Sequence, residues 1–144
     1  MQDGEVRVAH WLFKSEPYKW SWDAQVVAGE AGTHWDGVRN HSAKLNLLAM
    51  TPGDQGFFYH SNEGKEIVGI VEVIRAAYPD PSDPSGKFVM VDLKAVRPLK
   101  VPVSLVTIKN DPRLESMALV KFSRLSVQPV TDAEWDMILA LGGM

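Results

Sequence analysis

Residues 55–61, "QGFFYHS", and residues 65–78, "KEIVGIVEVIRAAY", are two apolar, β-branched and aromatic segments separated only by "NEG" at 62–64. Segments of this composition read as strands, and a short polar connection holding a glycine reads as a hairpin loop. Next along the chain, "PDPSDPSG" at 79–86 is a rigid loop, and "KFVMVDLKAVRPL" at 87–99 is again rich in β-branched residues. That third segment should pair antiparallel with the second and end at Pro98, because proline cannot donate to a ladder. Three consecutive strands without a crossover helix imply an antiparallel sheet.

The flanks add helices. "VRVAHWLFKS" at 6–15 alternates as a strand does, with Trp11 and Phe13 on one side and His10, Leu12 and Lys14 on the other. Ser21 is a competent N-cap for a short helix reaching Gly29, with Trp22 and Val26 on one face, and Asn40 for a second helix reaching Met50. Residues 104–119 read as short helical turns broken by "NDP", "RLSVQPV" as a closing strand, and Thr131 with Glu134 as a capping box for a last helix. The expected fold is α+β, a small, mostly antiparallel β-barrel decorated by peripheral helices, with residues 1–144 forming one domain.

Composition narrows the function. With 45% hydrophobic and 23% charged residues the composition is that of an ordinary globular chain, and neither a disordered nor a fibrous class is indicated. Cysteine is absent, which removes disulfides, thiolate nucleophiles and cysteine-type zinc sites. No secretory pattern opens the chain, and the run "IVGIVEVI" is broken by Glu72 well short of a membrane span. A cytoplasmic protein without a membrane partner, and a monomer, is expected.

The formal charge of −3 argues against a general nucleic-acid coat protein. Its distribution is uneven. Lys94, Arg97, Lys100, Lys109, Arg113, Lys121 and Arg124 face only Asp111 and Glu115 within 94–124, a local surplus that could steer a phosphate backbone or simply be solvated.

Motifs of catalysis are missing. Gly86-Lys87 is followed by Phe88 and preceded at the fifth position by Pro81, so the phosphate-loop pattern fails. No G-x-S-x-G elbow, H-E-x-x-H or dinucleotide fingerprint occurs. The histidines at 10, 34, 41 and 60 lack ligand spacing, so neither a metal nor a cofactor is expected.

Three stretches carry possible recognition chemistry. "KSEP" places Ser15 and Glu16 at a strand end; "HWDGVRN" puts Trp35, Arg39 and Asn40 around a bend; "FFYHSN" ends a strand with Tyr59, His60, Ser61 and Asn62. A flat ring beside fixed donors and acceptors is what a nucleobase pocket requires. Each residue also has a plain role: Trp35 as a plug, Arg39 paired with Asp36 or Glu16, Asn40 as a cap, and His60 as a satisfied core histidine.

Taken together and in order, "HWLFKSEP", "WDGVRN", "FFYHSN", "GIVEV", "AYPD" and "RLSVQP" closely resemble the EVE-domain family of the thymocyte nuclear protein type. The resemblance implies a PUA-like fold related to YTH domains and a function in binding modified bases, with modified cytosine in DNA as the leading candidate. It implies that Trp35 is one wall of an aromatic cage and that Ser15 and Glu16 hold the base edge. The loop that would carry a second cage tryptophan has none, so Tyr78 and Phe88 are the candidates for the opposite wall. Glu16 stands where a reader of adenine would carry an amide. A carboxylate there could accept from the exocyclic amine of cytosine.

The expected function is therefore a non-catalytic module that binds nucleic acid containing a modified base. A small-molecule binder of nucleosides or anions and a nucleic-acid enzyme using His60 are the alternatives.

Overall fold

The computed structural model describes residues 8–144, so the readings made on residues 1–7, the chain opening and the start of the first strand, lie outside it. One six-stranded sheet organises the chain in the order β2-β5-β4-β3-β1-β6. Its strands are β1 (His10–Ser15), β2 (Thr33–Trp35), β3 (Gln55–His60), β4 (Glu66–Pro79), β5 (Val89–Ser104) and β6 (Val127–Val130). The β3–β4 hairpin and the antiparallel β4–β5 pair form as expected from the opening stretch. The β1–β3 pair, however, is parallel.

The sheet is open, not the closed barrel expected from sequence. Its edge strands β2 and β6 span three and four residues, too short to complete a ladder across the gap. A helix fills that side instead: α2 (His41–Ala49) packs against β4, β5 and β6. Strand β2 itself is a correction, because the residues around Trp35 read as a bend in sequence. Here Trp35 pairs with Val91 on the edge of β5.

Strand β5 also differs from expectation by running through Pro98 and Pro102 to Ser104. It can do so because the β4–β5 register slips between Ile67 and Gly69, the partners of Val103 and Pro98. A bulge is where a strand tolerates residues that cannot donate. The outer segment finds another partner at the C-terminal helix, where the N–H of Val101 donates to the Gly142 carbonyl at 3.0 Å.

Caps set the helix starts locally. Ser21 accepts from the Ala24 N–H to begin α1 (Trp22–Val27), and Asn40 accepts from the Ala43 N–H to begin α2. The capping box at Thr131 and Glu134 opens α5 (Asp132–Leu141), after α3 (Leu105–Lys109) and α4 (Ala118–Lys121). In α1 the buried face is Trp22 and Gln25, and Val26, expected beside Trp22, is exposed.

Both faces of the sheet are buried. Trp11, Phe13 and Phe58 point to one side with Trp22, Trp35 and Leu47, beneath α1 and α2. Leu12, Phe57 and Tyr59 point to the other with Ile108, Leu114 and Ile138, beneath α3 and α5. This is why β3 reads as an unbroken aromatic run rather than an alternating one. Trp135 stacks on Phe57 at 4.0 Å and on His10 at 4.1 Å, which anchors α5.

Gly69 in β4 leaves the space in which Trp22 lies: a Cβ there would sit 2.5 Å from the indole ring. The ring is itself held edge-on against Phe58 at 5.4 Å. Gly69→Ala should therefore destabilise the fold by about 1–3 kcal/mol, the usual range for overpacking. Chemical denaturation reads this directly, and an unchanged midpoint would show that the ring has room to move.

Candidate functional site

Parallel pairing places the ends of β1 and β3 side by side, with Ser15 opposite His60 and the Ser61 N–H donating to the Ser15 carbonyl at 2.9 Å. The residues that follow both strands must then share one end of the sheet. The Ser15 hydroxyl donates to the Trp20 carbonyl, and the N–H groups of Lys19 and Trp20 return to the Glu16 carbonyl, folding 16–20 into a tight turn. Across from it Asn62 takes a left-handed backbone, φ 64°, a conformation asparagine tolerates better than most residues.

Glu16 joins these two turns. Its carboxylate accepts from the Tyr18 hydroxyl and the Asn62 amide and pairs with Lys19 at 3.2 Å. The hydrogen bonds from Tyr18 and Lys19 are the main reasons that its pKa lies below the ordinary carboxylate value. Glu16 is thus an ionised acceptor at neutral pH.

The bend after β2 is held from a distance. Asp80, buried in the loop after β4, accepts from the Gly37 N–H at 2.8 Å and from Arg39 Nη1 at 3.2 Å. Burial opposes its ionisation, but the hydrogen bonds from Ser82, Gly37 and Arg39 outweigh it and hold its pKa below the usual value. Arg39 Nη2 also donates to Ser82 Oγ at 2.9 Å, and the guanidinium lies 5.5 Å from the Phe88 ring centre. The partner of Arg39 is therefore Asp80, not Asp36 or Glu16.

A cavity of about 870 Å³ opens between these turns. It brings together Ser15, Glu16, Trp35, Arg39, Asn40, Ser61 and Asn62, all singled out by sequence. Trp35 meets Phe13 and Phe58 edge-on at 5.5 and 5.7 Å, so its ring is fixed by the core while it lines the cavity. Asn40 Oδ1 serves as the helix cap, which leaves its amide nitrogen as the group it can offer.

Other residues are placed elsewhere. Tyr59 is buried on the opposite face of the sheet, as strand alternation requires, and does not line the cavity. Neither does His60, whose Nε2 accepts from the Trp22 N–H at 3.1 Å. Phe88 lies against Arg39 and Lys44, and Tyr78 hydrogen-bonds Asp92 and His34 beneath the Arg75 guanidinium. These two aromatic rings are not among the cavity-lining residues. Of the basic residues between 94 and 124, Lys94 pairs with Glu30 and Arg113 with Asp111. Arg124 lines the cavity and Lys121 an adjoining groove.

A second ring at the cavity, that of Trp20, is one the sequence reading did not single out. It lines the cavity with Trp35, and its indole N–H donates to Gln25 Oε1 at 2.8 Å. Gln25, fully buried, passes this constraint to β5 by donating to the Leu93 carbonyl at 3.1 Å. The signal was its position: Trp20 follows the same strand end that singled out Ser15 and Glu16.

The chain matches the EVE domain over residues 9–141. It belongs to the EVE-domain family. This EVE protein is 36% identical over 172 residues to chicken (Gallus gallus) thymocyte nuclear protein 1, covering 97% of this chain and 71% of the relative. A Rhodopseudomonas palustris protein solved by NMR is 65% identical, with a TM-score of 0.90 over 94% of each chain. Human THYN1 protein, solved in complex with 5-methylcytosine containing DNA, is 34% identical, with a TM-score of 0.89 over 94% of this chain and 98% of that one. The YTH domain of Zygosaccharomyces rouxii MRB1 protein is 16% identical, with a TM-score of 0.58 over 100% of this chain and 90% of that one, a likeness of fold alone. Among the described residues of the EVE protein, no helix is long and apolar enough to cross a membrane.

His60 gives the site's surroundings a pH dependence. Burial lowers its pKa, against the smaller opposing pull of Glu66 and Asp23. Above the ordinary imidazole value of about 6.5 the ring is neutral in both folded and unfolded chains. Below it the unfolded chain takes up a proton that the folded chain resists, so stability is lost as pH falls from there towards the lowered folded value. The thermal midpoint should drop further in wild type than in His60→Gln between about pH 7.5 and about pH 5. Equal drops would contradict the assignment.

Proposed function

We propose that this EVE protein is a non-catalytic reader of a modified nucleobase, and that the base is a modified cytosine in DNA. The observation that carries the reading is the cavity in which two anchored indoles, Trp20 and Trp35, meet an ionised carboxylate, Glu16. Its volume lies within the usual range for small-molecule pockets, about 300–1,000 Å³, and suits one extruded nucleotide. Trp35 is the stacking wall, and Trp20 replaces Tyr78 and Phe88 as the opposing one.

The polar edge selects. Glu16 accepts from the exocyclic amine of cytosine, while Ser15, Ser61, Asn62 and the Asn40 amide complete the edge contacts. Arg39 contributes mainly by fixing the bend that presents Trp35. Stacking supplies about 1–3 kcal/mol per base, and extruding a base costs about a few kcal/mol, so ring and edge contacts are both needed. The complex of human THYN1 with 5-methylcytosine containing DNA supports this choice of base. His60 lies away from the cavity with Nε2 engaged, which weighs against its use as an acid or base.

A binding panel tests this. Single-stranded and duplex oligonucleotides carrying cytosine, 5-methylcytosine or N6-methyladenine at one position are titrated against wild type and Trp35→Ala. The 5-methylcytosine strand should bind most tightly, and Trp35→Ala should weaken it by about 5- to 150-fold, the equivalent of one stacked base. Unchanged binding by a folded Trp35→Ala would sink the proposal, and free nucleoside binding as tightly as the strand would favour a small-molecule receptor.

A further inference from the structure

Beside the base cavity lies a second concavity of about 650 Å³, formed by α2 and the segment that follows α4. The two share Asn40, Ser123 and Arg124 along their boundary, so they adjoin. The second is chemically different. Phe122 and Leu45 are more than half exposed there, at 58% and 53%, and no acidic side chain lines it. Lys121 and Arg124 give it positive charge on a protein whose formal charge is −3, and among the described residues neither cation is in an ion pair.

The segment that presents Phe122 is rigid for a definite reason. Gln128, fully buried in β6, directs Nε2 at the carbonyls of Phe122 and Leu125, at 3.1 and 2.9 Å. Lys14 Nζ donates to the Ser123 carbonyl at 2.6 Å at the border with the base cavity. An exposed ring on a pinned backbone loses little conformational freedom when a flat partner covers it.

We infer that this groove takes the nucleotide next to the extruded base on the same strand, its base laid on Phe122 and its phosphate drawn by Lys121 and Arg124. The inference rests on the base-reading function and extends it. Adjacency to the base cavity argues for this occupant: a strand whose base enters one pocket can pass over the shared residues Asn40, Ser123 and Arg124 into the other. Stacking on an aromatic face needs no particular base identity, so the flanking position adds affinity without adding sequence preference.

The test uses the intact protein, a short single-stranded DNA with one central 5-methylcytosine, the same strand with an abasic site on either side of that base, and free 5-methyl-2′-deoxycytidine. Phe122→Ala should weaken the intact strand by about 5- to 150-fold and leave the nucleoside unchanged. Removing the flanking base on one side should cost the wild type a similar factor and cost Phe122→Ala little more. Lys121→Gln, at a position outside the base cavity, should lower the salt dependence of strand binding by about 0.7 in the logarithmic slope.

If Phe122→Ala and Lys121→Gln both bind the strand as wild type does while Trp35→Ala loses it, the groove assignment is wrong and the base reading stands. Losses from Phe122→Ala and the abasic strand that add in full also overturn the groove assignment. If wild type binds neither strand nor nucleoside, the base reading fails and takes this inference with it.

Discussion

Strands β1 and β3 run in the same direction, and the position of the candidate site depends on that pairing. Had they been antiparallel, the residue after Ser15 and the residue after His60 would lie at opposite ends of the sheet. Because they are parallel, Ser15 lies opposite His60, and Glu16 can accept from Asn62 across 46 residues of sequence. The parallel connection requires a crossover, and the segment carrying α1, β2 and α2 supplies it. That segment brings Trp20, Trp35 and Arg39 over the same end of the sheet, so one topological choice assembles both the polar and the aromatic sides of the cavity.

Two carboxylates then divide the work of holding it. Asp80 is buried, and its hydrogen bonds to Gly37 and Arg39 shape the bend that follows Trp35. Glu16 sits at the cavity and ties the two strand-end turns together. The aromatic walls are set from below, Trp35 by Phe13 and Phe58 and Trp20 through Gln25. A pocket assembled before the ligand arrives loses little freedom on binding. On the proposed reading, a protein with a formal charge of −3 gains little from long-range attraction to phosphate, and the pocket would supply most of the discrimination.

Local signals were legible in the sequence, and long-range ones were not. The caps at Ser21, Asn40 and Thr131 are three-residue events between a side chain and a nearby N–H, so spacing alone reveals them. The β3–β4 hairpin is equally local. By contrast, the open sheet, the parallel β1–β3 pair and the passage of β5 through Pro98 are decided by which strands meet, which no stretch of sequence records by itself. The same division holds in the site. Seven of the residues chosen at strand ends and the bend do line the cavity, whereas Tyr59 and His60 were carried in with the stretch that contains them and face elsewhere. Trp20 was passed over because its partner Gln25 is unremarkable in sequence and becomes an anchor only once β5 lies beneath it.

A crystal structure of the protein bound to single-stranded DNA with one 5-methylcytosine would test the central claim most directly. The account predicts that the methylated base has left the stack and lies against Trp35, with Trp20 on its other side and Glu16 within hydrogen-bond reach of its exocyclic amine. A methylated base still stacked on its neighbours, with no ligand between Trp20 and Trp35, would contradict it.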